Sequence, residues 1–202
     1  MRFGFEGRNE MDTKKKILTI PNVLSMIRIA MIPVIVWLYC VEKNYGWAGG
    51  LLLLSGATDV VDGFIARHFH MISDLGKVLD PIADKLTQAT VLVCLLMRFP
   101  LMVLPLVLMV LKETFMSVTG LLVIRRTGVV ISADWHGKAA TVLLYATMVL
   151  HIFWENISDA QSALFIGASV VMIAISFFLY GRDNVTALKK EKTERESLSA
   201  NT

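Results

Sequence analysis

The sequence predicts an all-α, polytopic membrane protein with six transmembrane helices, both termini cytoplasmic and a short interfacial segment ahead of the first span. Three observations carry this. The 202-residue chain is 55% hydrophobic and only 18% charged, against roughly 45–50% and 25% in soluble domains. Its apolar residues fall into six runs, most near the ~20 residues that cross a bilayer. Its basic residues alternate sides in the way that orients a membrane chain. The same composition excludes disorder, which requires few Leu, Ile, Val and Phe. The net charge of +3 is mild and spread over tails and connections, so no nucleic-acid-binding arm is present.

The elements follow in order. Residues 1–16 form a basic N-terminal tail, expected to be mobile. Residues 17–25 mix apolar and polar side chains around Pro21 and read as the interfacial segment. Apolar runs occupy 24–41, 46–66, 78–97, 101–124, 139–154 and 161–181, so that one membrane domain covers 17–184 and a charged C-terminal tail covers 185–202. The first run stays as a span: residues 39–43 offer no small-residue cleavage site, and five more runs follow. Trp47 is placed to anchor at an interface. Fifteen Lys and Arg residues fall in the two tails and in the second and fourth connections, whereas the opposite side carries only Lys43 and Arg98. Cys40 and Cys94 both lie in apolar runs, which argues against a disulfide framework and for buried free thiols.

Four acids interrupt this apolar pattern. Asp59 and Asp62 stand at i, i+3 on the second helix, and Asp80 and Asp84 at i, i+4 on the third, so each pair shares a face. An aspartate at a helix centre costs about 2.5–3.5 kcal/mol on insertion scales, on the order of 10 kcal/mol for four by simple addition. Solvated acids at helix ends remain the plain alternative for any one of them; four on common faces call for compensating cations. Hard carboxylate oxygens suit Mg²⁺ or Mn²⁺, and no Cys/His cluster with zinc spacing competes. A pair of divalent ions creates a place for a diphosphate and polarises it for displacement. Gly63 and Ala66 leave the helix face beside the acids without bulk, Gly76 does the same four residues before Asp80, and Arg67 adds a cation. Taken alone, Gly63 and Gly76 equally fit close helix packing.

The full string, Asp59-x2-Asp62-Gly63-x2-Ala66-Arg67-x8-Gly76-x3-Asp80-x3-Asp84, fixes eight residues over 26 positions and resembles the motif of the CDP-alcohol phosphotransferase family at every position. Supporting segments are Ile20-Pro21-Asn22-x2-Ser25-x2-Arg28, Gly137-Lys138 and Tyr180-Gly181-Arg182-Asp183, so the resemblance runs from about 20 to 183, nearest the phosphatidylglycerophosphate synthase and cardiolipin synthase branch. It implies a six-helix enzyme of the cell membrane, commonly a homodimer, with its active site on the cytoplasmic side. Such an enzyme displaces CMP from CDP-diacylglycerol with an alcohol, either glycerol 3-phosphate or phosphatidylglycerol. It further implies Asp59, Asp62 and Asp80 as ligands of two Mg²⁺ or Mn²⁺ ions, with Asp84 near the second ion and also the general base. Asp62, Gly63, Ala66, Arg67 and Gly76 would line the CDP-lipid site.

The acceptor side departs from that branch. Where it has Arg-Glu, Gly-Leu-Arg and Gly-Lys-x-Lys-Thr, this chain has Lys112-Glu113, Gly120-Leu121-Leu122 and Gly137-Lys138-Ala139-Ala140-Thr141. Two cations are absent and one guanidinium is replaced by an ammonium, which weakens the grip on a phosphomonoester. Lys112, Arg125, Arg126 and Lys138 remain as acceptor candidates, with topology as the alternative role of the two arginines and a structural ion pair as that of Lys112. Glycerol 3-phosphate leads as acceptor and phosphatidylglycerol follows. His68, His70, His136 and His151 show no ligand spacing and read as loop or interfacial residues. A divalent-cation transporter would also place carboxylates at membrane depth, but the chain has no evident inverted repeat.

Overall fold

The computed structural model describes residues 19–68, 76–127 and 135–200; within them, the side chains of Ile20, Asp62, Gly63, Ala66, Arg67, Lys77, Val78, Leu122, residues 124–127 and residues 187–200 lie outside the description. Among the described residues there are six α-helices and no strand: α1 (Ile20–Val36), α2 (Tyr45–His68), α3 (Gly76–Leu96), α4 (Val103–Thr127), α5 (Trp135–Phe153) and α6 (Asp159–Ala200). Each expected apolar run lies within one of them or its immediate extension. Among the described residues, three segments are long and apolar enough to cross a membrane: Pro21–Val41, Pro100–Leu121 and Asp159–Thr186. The remaining helices carry the acids of α2 and α3, or His136, Lys138 and His151 of α5, which lower their hydropathy.

Burial departs from that of a soluble protein in two ways: polar side chains join the apolar core, and large apolar ones cover the surface. Arg28, Asn22, Gln88, His151, Ser169 and Ser176 are buried, while Phe178, Val60, Leu164 and Val142 are among the most exposed side chains. In water this arrangement costs free energy; in hydrocarbon it is the stable one, because polar groups find partners only between helices. The chain is therefore a helical membrane protein.

The chain divides into two compact units. The first holds α1, α2, α3 and residues 152–155. Pro21 sits at the start of α1, where its missing N–H is no loss. The helix thus begins at Ile20 and absorbs most of the segment that the sequence sets apart as interfacial, with Asn22 and Ser25 buried. At its far end α1 widens into a π-helical turn, Trp37–Val41. Lys43 then turns the chain at φ 52°, and Asn44 Oδ1 accepts from the Trp47 N–H at 3.3 Å at the head of α2. Ser25 meets Asp80 and Cys40 meets Cys94, so α1 and α3 run in the same direction.

The second unit holds α4, α5 and α6. Along α6 the buried positions are Ser162, Ile166, Ser169, Ile173, Ser176, Tyr180 and Asn184; steps of four and three alternate as far as Tyr180, the seam of a left-handed supercoil, and a further step of four reaches Asn184. Its hydroxyls are satisfied by α5. Ser162 Oγ lies 2.9 Å from His151 Nε2, Ser169 Oγ 2.7 Å from Thr147 Oγ1, and Ser176 Oγ 3.4 Å from His136 Nδ1. His151 Nδ1 also lies 2.7 Å from the Thr147 carbonyl oxygen, an acceptor only, so that nitrogen carries the proton and Nε2 accepts from Ser162. His136 and His151 are thus buried seam residues, which corrects their reading as loop or interfacial side chains. The helix α6 continues past Thr186 to Ala200, so most of the charged C-terminal tail is helical.

Gly137 shows how tight this unit is. A Cβ there would lie 2.5 Å from Tyr180 Oη and 3.0 Å from Cε2, and Tyr180 is buried. Gly137→Ala is expected to cost about 1–3 kcal/mol by overpacking, whereas Gly120→Ala, which meets nothing within 4 Å, gains helix propensity of about 1 kcal/mol. Thermal unfolding in detergent should separate the two variants, one below and one above the parent.

Candidate active site

Two of the aspartates, Asp59 and Asp80, are held by α1. Asn22, Ser25 and Arg28 stand at i, i+3 and i+6, one stripe on that helix, and all three are buried. Arg28 Nη1 pairs with Asp59 Oδ1 of α2 at 2.8 Å; the guanidinium is fully buried, while the Asp59 side chain is 44% exposed. One turn earlier, the Ser25 hydroxyl reaches Asp80 Oδ1 of α3, with the Pro21 carbonyl oxygen as its other acceptor at 3.0 Å. Ser25 and Arg28 are separated by about 4.5 Å of helix rise, so one short stretch of α1 draws Asp59 and Asp80 toward each other from different helices.

Asp84, one turn after Asp80, is held from its own helix. The buried Gln88 donates through Nε2 to Asp84 Oδ2 at 2.9 Å, and Lys85 Nζ lies 3.7 Å from the same oxygen. The helix α2 is unbroken from Tyr45 to His68, which keeps positions 59, 62, 63, 66 and 67 in helical register; the side chains of Asp62, Ala66 and Arg67 lie outside the description. Gly76 is buried at the first residue of α3.

The donor set suits a hard divalent cation: Asp59, Asp80 and Asp84 offer carboxylate oxygens, the ligand chemistry of Mg²⁺ and Mn²⁺. Among the described residues, no three His, Cys, Asp or Glu side chains already stand close enough to hold an ion. Arg28 supplies one of the positive charges that such a group of acids needs.

The acceptor candidates lie in the second unit. Lys112 is buried, its Nζ 3.3 Å from Glu113 Oε1 and 5.9 Å from the Tyr180 ring centroid. This ion pair joins neighbours on α4. Lys138 is exposed in the first turn of α5. Arg125 and Arg126 belong to the last turn of α4, with side chains outside the description. Ser25, Arg28 and Gln88 contact the aspartates although the aspartate motif does not include them. The i, i+3, i+6 polar stripe on α1 was the available signal for the first two.

Fold and site together define a helical membrane protein whose second and third helices carry aspartates, Asp59 and Asp80, that Arg28 and Ser25 tie to the first. The chain belongs to the CDP-alcohol phosphatidyltransferase family, whose model matches residues 18–180, and it is accordingly a phosphatidyl-transferring enzyme. It is 41% identical over 144 residues to the cardiolipin synthase (CMP-forming) of Streptomyces coelicolor, covering 67% of this chain and 66% of that protein. It is 31% identical over 189 residues to the CDP-diacylglycerol–glycerol-3-phosphate 3-phosphatidyltransferase of Bacillus subtilis, covering 84% of this chain and 97% of that protein. The cardiolipin synthase (CMP-forming) of Homo sapiens is 39% identical over 108 residues, 53% of this chain and 35% of that protein.

Proposed function

We propose that the protein transfers the phosphatidyl group of CDP-diacylglycerol to glycerol 3-phosphate and releases CMP, a step in anionic phospholipid synthesis. The observation that carries this is the eight-residue aspartate motif on α2 and α3, with two of its acids tied to α1 by Arg28 and Ser25. The near full-length match to the Bacillus protein supports glycerol 3-phosphate as the acceptor.

Asp59, Asp62 and Asp80, with Asp84 at the second ion, would hold two Mg²⁺ or Mn²⁺ ions, which when bound neutralise the diphosphate and polarise it. Asp62, Gly63, Ala66, Arg67 and Gly76 line the CDP-lipid site in this reading. Asp84 takes the proton of the acceptor hydroxyl while Gln88 orients the carboxylate. The acceptor oxygen bonds to the phosphorus bearing diacylglycerol, the bond from that phosphorus to the bridging oxygen breaks, and CMP leaves with the electron pair. Lys112, Arg125, Arg126 and Lys138 are the acceptor-binding residues of this reading. The helices make six crossings with both termini and the aspartates at the cytoplasmic side of the cell membrane, as the fifteen-to-two distribution of basic residues supports. The working unit is a homodimer.

Phosphatidylglycerol as acceptor, which would make the enzyme a cardiolipin synthase, is favoured by two particulars. Leu122 and Ala140 stand where the branch has cations, and the Lys112 charge is already matched by Glu113. CMP release by the purified protein with CDP-diacylglycerol and Mg²⁺ decides between them. Turnover with glycerol 3-phosphate supports the first reading, turnover only with phosphatidylglycerol the second, and none with either overturns both. Lys138→Ala is expected to raise the KM for glycerol 3-phosphate about tenfold, equivalent to the ~1.4 kcal/mol of one charge-assisted contact, with the KM for CDP-diacylglycerol unmoved. An unchanged acceptor KM would leave Lys138 a topology residue.

A further inference from the structure

Neither cysteine of the chain takes part in the chemistry above. Cys40 and Cys94 are 54 residues apart in sequence, yet their sulfurs stand 3.6 Å apart, the contact distance of two thiols. Cys40 lies on the π-helical turn Trp37–Val41 that extends α1, and Cys94 in the last turn of α3. At the other end of the same helix pair, Ser25 meets Asp80. From Ser25 to Cys40 is 15 residues and from Asp80 to Cys94 is 14, each about 21–22 Å of helix. The thiol contact therefore agrees with the register that the Ser25–Asp80 contact sets between the two helices. The two sulfurs differ in access, Cys40 being half-buried and Cys94 buried.

We propose that Cys40 and Cys94 are a disulfide-forming pair that ties the far end of α1 to the far end of α3. Both are free thiols in this structure, and forming the bond of about 2.05 Å brings the sulfurs some 1.5 Å closer. The oxidant is a small-molecule disulfide. The more accessible Cys40, as thiolate, attacks one of its sulfurs and expels a thiolate; Cys94, having lost its proton, then attacks Cys40 Sγ and expels the second. Two protein thiols are oxidised, one disulfide is reduced to two thiols, and the two protons released are taken up by the two leaving thiolates. On the proposed topology the pair lies at the membrane face opposite the aspartates, near the connections that carry Lys43 and Arg98. If the cytoplasm bathes the aspartate end, this face meets the more oxidising compartment. The chemistry itself does not depend on the acceptor or on turnover.

The test uses the purified full-length protein in detergent, treated with oxidised glutathione, quenched with acid, denatured and reacted with a polyethylene glycol maleimide. Two tags before oxidation, none after it and two again after dithiothreitol are expected. The intact mass of the oxidised protein should be lower by two hydrogens, with no adduct. A persistent glutathione adduct, two thiols still open to tagging, or a disulfide only between two chains would overturn the proposal. Cys94→Ser supplies the comparison: with no second thiol to resolve it, oxidation there should stop at the adduct on Cys40. CMP release measured on the same samples is a separate readout, so failure of the disulfide and failure of the phosphatidyl-transfer reading are distinguishable.

Discussion

Asp84→Asn is expected to lower CMP release by about 10²–10⁴-fold, the range that a positioned general base contributes, with the protein still folded. The substitution keeps the shape of the side chain, and its amide oxygen can still accept from Gln88 Nε2, which lies 2.9 Å from Asp84 Oδ2. What disappears is the basic oxygen to which the proposed reaction assigns the acceptor's proton, and one negative charge of the aspartate motif. Gel filtration and thermal unfolding indistinguishable from the parent would establish that the fold survives. Retained turnover in this variant would remove Asp84 from the role of base. Gln88→Leu separates positioning from chemistry: it should lower kcat and displace the pH profile while leaving the KM for CDP-diacylglycerol in place.

Arg28→Met is expected to cost about 10–100-fold in activity, the range typical of residues that orient a metal-binding carboxylate. The guanidinium is fully buried and 2.8 Å from Asp59, so methionine fills the volume but releases Asp59 from α1. The accompanying loss of stability should be small, about 1–2 kcal/mol. A fully buried pair broken on one side costs about 3–5 kcal/mol, but Asp59 is 44% exposed and water can solvate it. Arg28→Lys restores the charge without the planar fork and should recover only part of the activity. Parent-like CMP release by Arg28→Met would show that Asp59 needs no support from α1. Titrating Mg²⁺ is the informative companion measurement, because a positioning role predicts a higher Mg²⁺ requirement and a purely structural one does not.

Much of this molecule was legible beforehand for reasons local to each helix. Composition and run length predict helices in a bilayer, and the i, i+3 and i, i+4 spacings of Asp59, Asp62, Asp80 and Asp84 put each pair on one face wherever those helices pack. The histidines were not legible in this way. His151 and His136 have no ligand spacing of their own; what buries them is the hydroxyl of a serine on another helix, 11 residues away for Ser162 and 40 for Ser176. The step of seven between Ser162, Ser169 and Ser176 was present in the sequence as a seam signal, but a seam names no partner.

By itself, then, the sequence determined the helical class, the membrane as solvent, the acid motif and the family that the motif marks. Each of these depends on residue type and on spacing within a single helix, where 3.6 residues per turn dictates which side chains align. Tertiary structure alone decided that Arg28 meets Asp59, that Ser25 meets Asp80 across 55 residues, and that Cys40 touches Cys94. Those contacts depend on which helix faces which and in what register. Periodicity is silent on that point, because a helix presents the same face to whichever neighbour the packing brings to it.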